Sequence, residues 1–167
     1  MIVEDKGGQQ KEIYAHAGLA LYWAQCLEKS LENILVINSR LSGECITLAD
    51  LEAFENDVEN QTLGRLLRNA RKHIRFDGDS EKSLSLALKN RNFLAHRFFK
   101  KHAEDFFSEM GRDRMIAELI EIRECFQNAD QISSLLCKAL QKALGITDEM
   151  IEQQMEKMSQ LGAEGAK

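Results

Sequence analysis

The sequence predicts an all-α protein, an up-and-down helical bundle of three to four long helices with shorter ones between them. Three observations carry that expectation. The 167 residues include no proline, where average usage would supply about eight, and long helices gain most because proline removes a helix donor and clashes with the preceding turn. Apolar residues make up 44% and charged residues 29%, a globular balance, and a chain of this length can bury roughly 70% of its unfolded surface without a disulfide or metal staple. Apolar positions also recur at three- and four-residue steps over long stretches, the period of an amphipathic helix.

The first helix is predicted from about Lys11 to Arg40, on Ile13, Ala17, Ala20, Ala24, Leu27, Leu31, Ile34 and Leu35. Ser42-Gly43 breaks it. Thr47 with Asp50 three residues later reads as a capped start, opening a short helix to about Asn56. Thr62 is a cap for a helix carrying Leu63, Leu66, Leu67, Ala70 and Ile74. Phe76 to Asp79 is turn chemistry, with Asp79 or Ser80 capping the next helix. That helix is predicted through Leu84, Ala87, Leu88, Phe93 and Leu94 toward Phe106 and Phe107, ending at Gly111. The last long helix holds Met115, Leu119, Ile122, Phe126, Ala129, Ile132, Leu136 and Leu140, closed by Gly145, and Thr147 begins a short one. One domain is expected over residues 11–160, with flexible ends at 1–10 and 161–167.

No run of about 18 apolar residues occurs, so no membrane partner is expected, and the polar residues 1–10 do not resemble a secretory signal. Cys26, Cys45, Cys125 and Cys137 form no CxxC pair, which favours reduced thiols and a cytoplasmic setting over zinc or disulfides. Net charge is −5, but residues 65–102 hold 11 Lys/Arg against 3 Asp/Glu. Such asymmetry suggests an anion-facing surface on an acidic body, or else a set of solvated helix faces.

One hexapeptide interrupts an otherwise apolar helix: Arg91-Asn92-Phe93-Leu94-Ala95-His96. Asn92 and His96 are i and i+4 and share a face. Arg91 and His96 diverge by about 140° on an ideal helix, a gap that the length of arginine can cover. Histidine works as acid or base near neutral pH, and arginine offers a permanent bidentate phosphate contact that lysine does not reproduce. RNA cleavage through the 2′-hydroxyl needs both functions. A histidine beside apolar residues is more often a structural group than a catalyst.

The run from Ala87 to Phe99 resembles the signature helix of the HEPN family, whose motif is an Arg, a polar residue and a His a few positions on. Thr62-Leu63-Gly64, upstream, resembles a segment that precedes the motif in bacterial members, and the helical outline agrees over roughly residues 10–144. The resemblance implies a helical homodimer with two motif helices facing one cleft, and metal-independent endoribonuclease activity of a toxin, stress or defence kind. By position it makes Arg91 and His96 the catalytic pair and Asn92 their polar companion. It brings in single-stranded RNA as substrate and an antitoxin-like protein as a partner, with no cofactor or metal. Some toxin members carry a Tyr two residues after the His, as an AMP acceptor; here Phe98 stands there.

Arg65, Arg68, Lys72 and Arg75 are expected on one face of the preceding helix, where with Arg97 and Lys100 they either guide RNA or pair with acidic helices. His16 is expected to have a structural or exposed role, His73 and His102, in basic stretches, to do no more than make the surface more polar, and Tyr22 and Trp23 to be core or interface anchors. The alternative function is a non-catalytic dimerisation or regulatory module that uses the motif helix for packing or for nucleotide binding, with its polar residues fixing register.

Overall fold

Two helices of 36 and 35 residues, α1 (Lys6–Leu41) and α6 (Glu109–Ala143), make the frame. Between them come α2 (Leu48–Glu59), α3 (Leu63–His73), α4 (Gly78–His96), α5 (Phe98–Lys101) and a 3-10 turn at Asp105–Phe107, and α7 (Asp148–Glu164) follows. The computed structural model describes residues 6–164, with side chains over 7–160, and all regular elements among them are helical. The expected flexible ends fall partly on helix, since α1 starts at Lys6 and α7 runs to Glu164; residues 1–5 and 165–167 lie outside the described residues.

The apolar stripe of α1 is buried as its spacing requires: Ile13, Ala20, Leu27, Leu31 and Ile34 are fully inaccessible. They meet Met115, Leu119, Phe126 and Ala129 of α6, also fully buried. Burying a leucine or phenylalanine side chain contributes about 1.5–3 kcal/mol, so this seam dominates the fold's stability. Gln9 Nε2 donates to Asp113 Oδ1 at 2.7 Å and Ser30 Oγ to Asp130 Oδ1 at 2.6 Å, which shows that α1 and α6 run in the same direction. α4 runs against both, since Arg91 pairs with Glu28 of α1 while Tyr14 stacks near Phe99. The chain therefore goes up and down, and its core is a seam of three helices closed by α2 and α3.

The caps follow the chemistry of the turns. Thr47 and Asp50 form a reciprocal capping box at α2. Thr62 precedes α3 without a side-chain bond, and α4 is capped not by Asp79 or Ser80 but by Asp77, two residues before Asp79, which accepts from the backbone N–H groups of Asp79 and Ser80. Gly145 sits at φ +78°, the left-handed position after α6 that favours glycine.

The predicted helix to Phe107 stops at His96 instead. Arg97 leaves helical geometry at φ −129°, and Phe98 turns inward to full burial, edge-on to Phe93 at 5.9 Å and to Phe99 at 5.2 Å. Neither glycine nor proline marks this break; burial of one aromatic ring drives it. Gly111 does not end a helix either. It lies in the first turn of α6, where a Cβ would stand 2.1 Å from the carbonyl oxygen of Asp105. Close backbone approach is what needs glycine there.

Candidate functional site

Because α4 ends at His96, the motif occupies the last turn and a half of a helix whose far end is capped by Asp77. Its two faces border two grooves. One, of about 790 Å³, lies between the end of α4, α5 and α6, with Lys89, Phe93, Arg97, Lys101 and Glu118 in its walls. The other, of about 510 Å³, lies between α3 and α4, floored by Leu63, Gly64 and Leu88 and edged by Arg68, Arg71 and Arg91. Asn92 and His96 belong to both, a ridge made by the i, i+4 spacing.

Asn92, His96 and Arg97 are exposed and make no side-chain hydrogen bond or ion pair with any described residue. Arg91 is half-buried, and its Nε lies 3.4 Å from Glu28 Oε1. That oxygen accepts no hydrogen bond, so the contact is a charge pairing which orients the guanidinium and leaves its donors free for an anion. Arg71 is committed elsewhere, to Glu81 and Ser85; Arg71 also holds the Glu81 carboxyl below its usual range.

The structure thus brings the Thr62-Leu63-Gly64 segment and the motif to one groove, together with Arg68. It puts Arg97 on the other groove. Arg65, Lys72 and Lys100 are exposed outside both, and Lys72 Nζ donates to Asn69 Oδ1. Arg75 is not on the helical face assigned to it, because α3 ends at His73 and Ile74 is extended; it borders a small pocket with Phe76 and Ile132. Phe98 is fully buried, so its position is closed to a modifying enzyme in this conformation.

His102 corrects the expectation of a surface group. It is 5% exposed, with Nδ1 2.7 Å from Asp105 Oδ2 and Nε2 2.5 Å from Glu118 Oε2. Each ring nitrogen thus has a carboxylate oxygen within hydrogen-bond distance, one from Asp105 and one from Glu118. Lys101 donates to both oxygens of Glu118 at 2.8 and 3.0 Å, and Arg114 pairs with Asp105. Arg114, and then His102, hold the Asp105 carboxyl below its ordinary range. Burial alone would push Glu118 up, but Lys101 and His102 together pull it down. This clamp fixes the segment after His96 onto α6 and forms one wall of the larger groove. Asp105, three residues after His102, was a readable signal; Glu118 comes from another helix and left none.

His16 is half-buried, with Nδ1 inaccessible and unpartnered; His73 is exposed. Tyr22 is 56% exposed and meets Trp23 edge-on at 5.7 Å, and Trp23 packs on the core. The four cysteines are unpaired. Among the described residues no group of three His, Cys, Asp or Glu side chains is arranged to hold a metal ion, and no helix is long and apolar enough to cross a membrane. Compared with protein-family models, with curated proteins and with solved structures, the chain matches none.

Proposed function

We propose that this chain is a metal-independent endoribonuclease of HEPN type that cleaves single-stranded RNA at a composite site in a homodimer. The observation that carries the reading is the ridge of Asn92 and His96, exposed and without a side-chain partner among the described residues, between two grooves edged by Arg68, Arg91 and Arg97. Exposed polar groups with no side-chain partner among the described residues are available to a substrate, and cationic edges on both sides favour a polyanion. In the proposed reaction the 2′-oxygen attacks phosphorus as a base takes its proton. The P–O5′ bond breaks, and an acid protonates the departing oxygen, leaving a 2′,3′-cyclic phosphate. His96 serves as proton carrier, Arg91 stabilises charge on the phosphoryl oxygens, and Asn92 positions the phosphate. One chain places one such histidine on the ridge; a two-fold axis through the cleft supplies the second, so that acid and base are separate groups. Control by an antitoxin-like protein in a cytoplasmic setting belongs to the same reading.

The experiment is cleavage of a broad set of single-stranded RNAs in EDTA, with analysis of the ends. Cyclic phosphate ends in EDTA support the proposal; absence of cleavage, or cleavage that requires magnesium, defeats it.

The second reading, a dimerisation or regulatory module without catalysis, draws on exposed apolar groups near the motif: Tyr14 at 58%, Phe99 at 44% and Phe107 at 86%. It is favoured if His96→Ala leaves all nucleic-acid behaviour unchanged while apolar substitutions there abolish self-association.

A further inference from the structure

The two grooves beside the His96 ridge offer a ligand different chemistry. The α3–α4 groove sets Arg68 and Arg91 beside an aliphatic floor of Leu63 and Leu88, which suits the sugar–phosphate backbone of a strand. The larger groove has an aromatic wall, Phe93. Phe98 meets that ring edge-on at 5.9 Å, and Lys101 Nζ stands 5.3 Å from its centroid, so the ring is held in place. At about 790 Å³ the groove has room for a nucleoside.

The hydrogen-bonding groups around that wall divide into spent and free. Glu118 accepts from Lys101 at both oxygens, and its Oε2 lies 2.5 Å from His102 Nε2. Asn90 is half-buried, with its side chain turned to Cys125. Asn92 stands on the ridge that both grooves share. Lys89 and Arg97 belong to the larger groove and not to the α3–α4 groove. Both are exposed, and neither makes a side-chain hydrogen bond or ion pair with any described residue. Lys89 precedes Phe93 by one turn on the same face of α4.

Lysine and arginine donate hydrogen bonds and accept none, so the free groups of this groove select a base that presents acceptors. Guanine offers O6 and N7 side by side, the pair that a guanidinium fork meets with two bonds. Adenine and cytosine place an amino donor on that edge, and uracil offers a single carbonyl there. Bases of a single strand are open along these edges, whereas those of an RNA duplex are not. We propose that the larger groove is a base-recognition subsite selective for guanine in single-stranded RNA, with Arg97 reading O6 and N7, Lys89 adding a second donor and Phe93 forming the apolar wall. The subsite deepens the ribonuclease reading and rests on it for its ligand.

The test is fluorescence anisotropy of the full chain in EDTA with labelled RNA heptamers, one variable base flanked by three uridines on each side. Every sugar carries 2′-fluorine, so the attacking hydroxyl is absent and binding is read without cleavage. The guanine heptamer should bind about tenfold tighter than those with adenine or cytosine, as a bidentate pair implies. 7-Deazaguanine, in which carbon replaces N7, should lose most of that gain. Arg97→Lys keeps the charge without the fork, so it should remove the guanine preference and leave the all-uracil heptamer within about twofold. Equal binding of all heptamers, preference for another base, no binding, or a guanine preference that survives either change would each overturn the proposal. Cleavage of natural RNA is measured on the same preparation. Guanine selectivity without cleavage keeps the subsite and counts against the ribonuclease reading alone, and cleavage without selectivity does the reverse.

Discussion

His96 and His102 stand six residues apart and occupy opposite environments. His96 ends α4 on an exposed ridge and has no side-chain partner among the described residues. His102 is buried between Asp105 and Glu118, with each ring nitrogen engaged. Fully satisfied buried networks rigidify a structure and are costly to break, whereas an exposed free imidazole adds little to stability and is open to a ligand. The difference teaches that one histidine holds the site and the other is available to act in it.

The largest effect expected from breaking the comparison lies on the ridge. His96→Ala should lower RNA cleavage by about 10²–10⁴ with no resolvable change in thermal midpoint, measured side by side on the same preparations. A strongly lowered midpoint would return His96 to a structural role. His102→Ala should do the reverse. It removes the ring that bridges Asp105 and Glu118 and should cost about 1–3 kcal/mol by chemical denaturation. Gly111→Ala attacks the same clamp from its backbone, because the new methyl meets the Asp105 carbonyl; a loss of about 1–3 kcal/mol is expected from the forced displacement.

The pH dependence sharpens the same contrast. Asp105 and Glu118 have depressed pKa values in the fold. Such carboxylates add stability above their unfolded values, near about 4, and the contribution is lost as pH falls through the folded values. The thermal midpoint should therefore drop on acidification below about pH 4, and less steeply in His102→Ala than in the wild type. An equal slope in both would separate Asp105 and Glu118 from the clamp. The smallest effects concern the cations. Arg68→Ala or Arg97→Ala should each weaken RNA binding and reduce the salt slope by about one, and Lys100→Ala, outside both grooves, should change it less. Equal effects would show that the grooves do not select among the surface charges.

Much of the fold was legible because its causes are local. The stripe of α1, the box of Thr47 with Asp50 and the left-handed Gly145 each follow from spacing or turn chemistry along the chain. The motif was legible for the same reason, since Asn92 and His96 share a face at one turn's separation. The end of α4 was not, because Arg97 carries no breaker signal and the cause is the inward turn of Phe98. Nor was the partner of Arg91, since Glu28 lies 63 positions earlier on α1.

The sequence by itself determined the all-helical class, the order of the helices and the concentration of positive charge over residues 65–102. Periodicity, capping and composition act within a few residues of one another, and a linear reading reaches them. Tertiary structure decided which histidine is buried, which arginines border the grooves and which are spent on Glu81, and that α7 stands apart from the core. Those outcomes depend on which helices meet, and a single buried ring or a carboxylate from a distant helix is enough to redirect a side chain that the local pattern leaves undetermined.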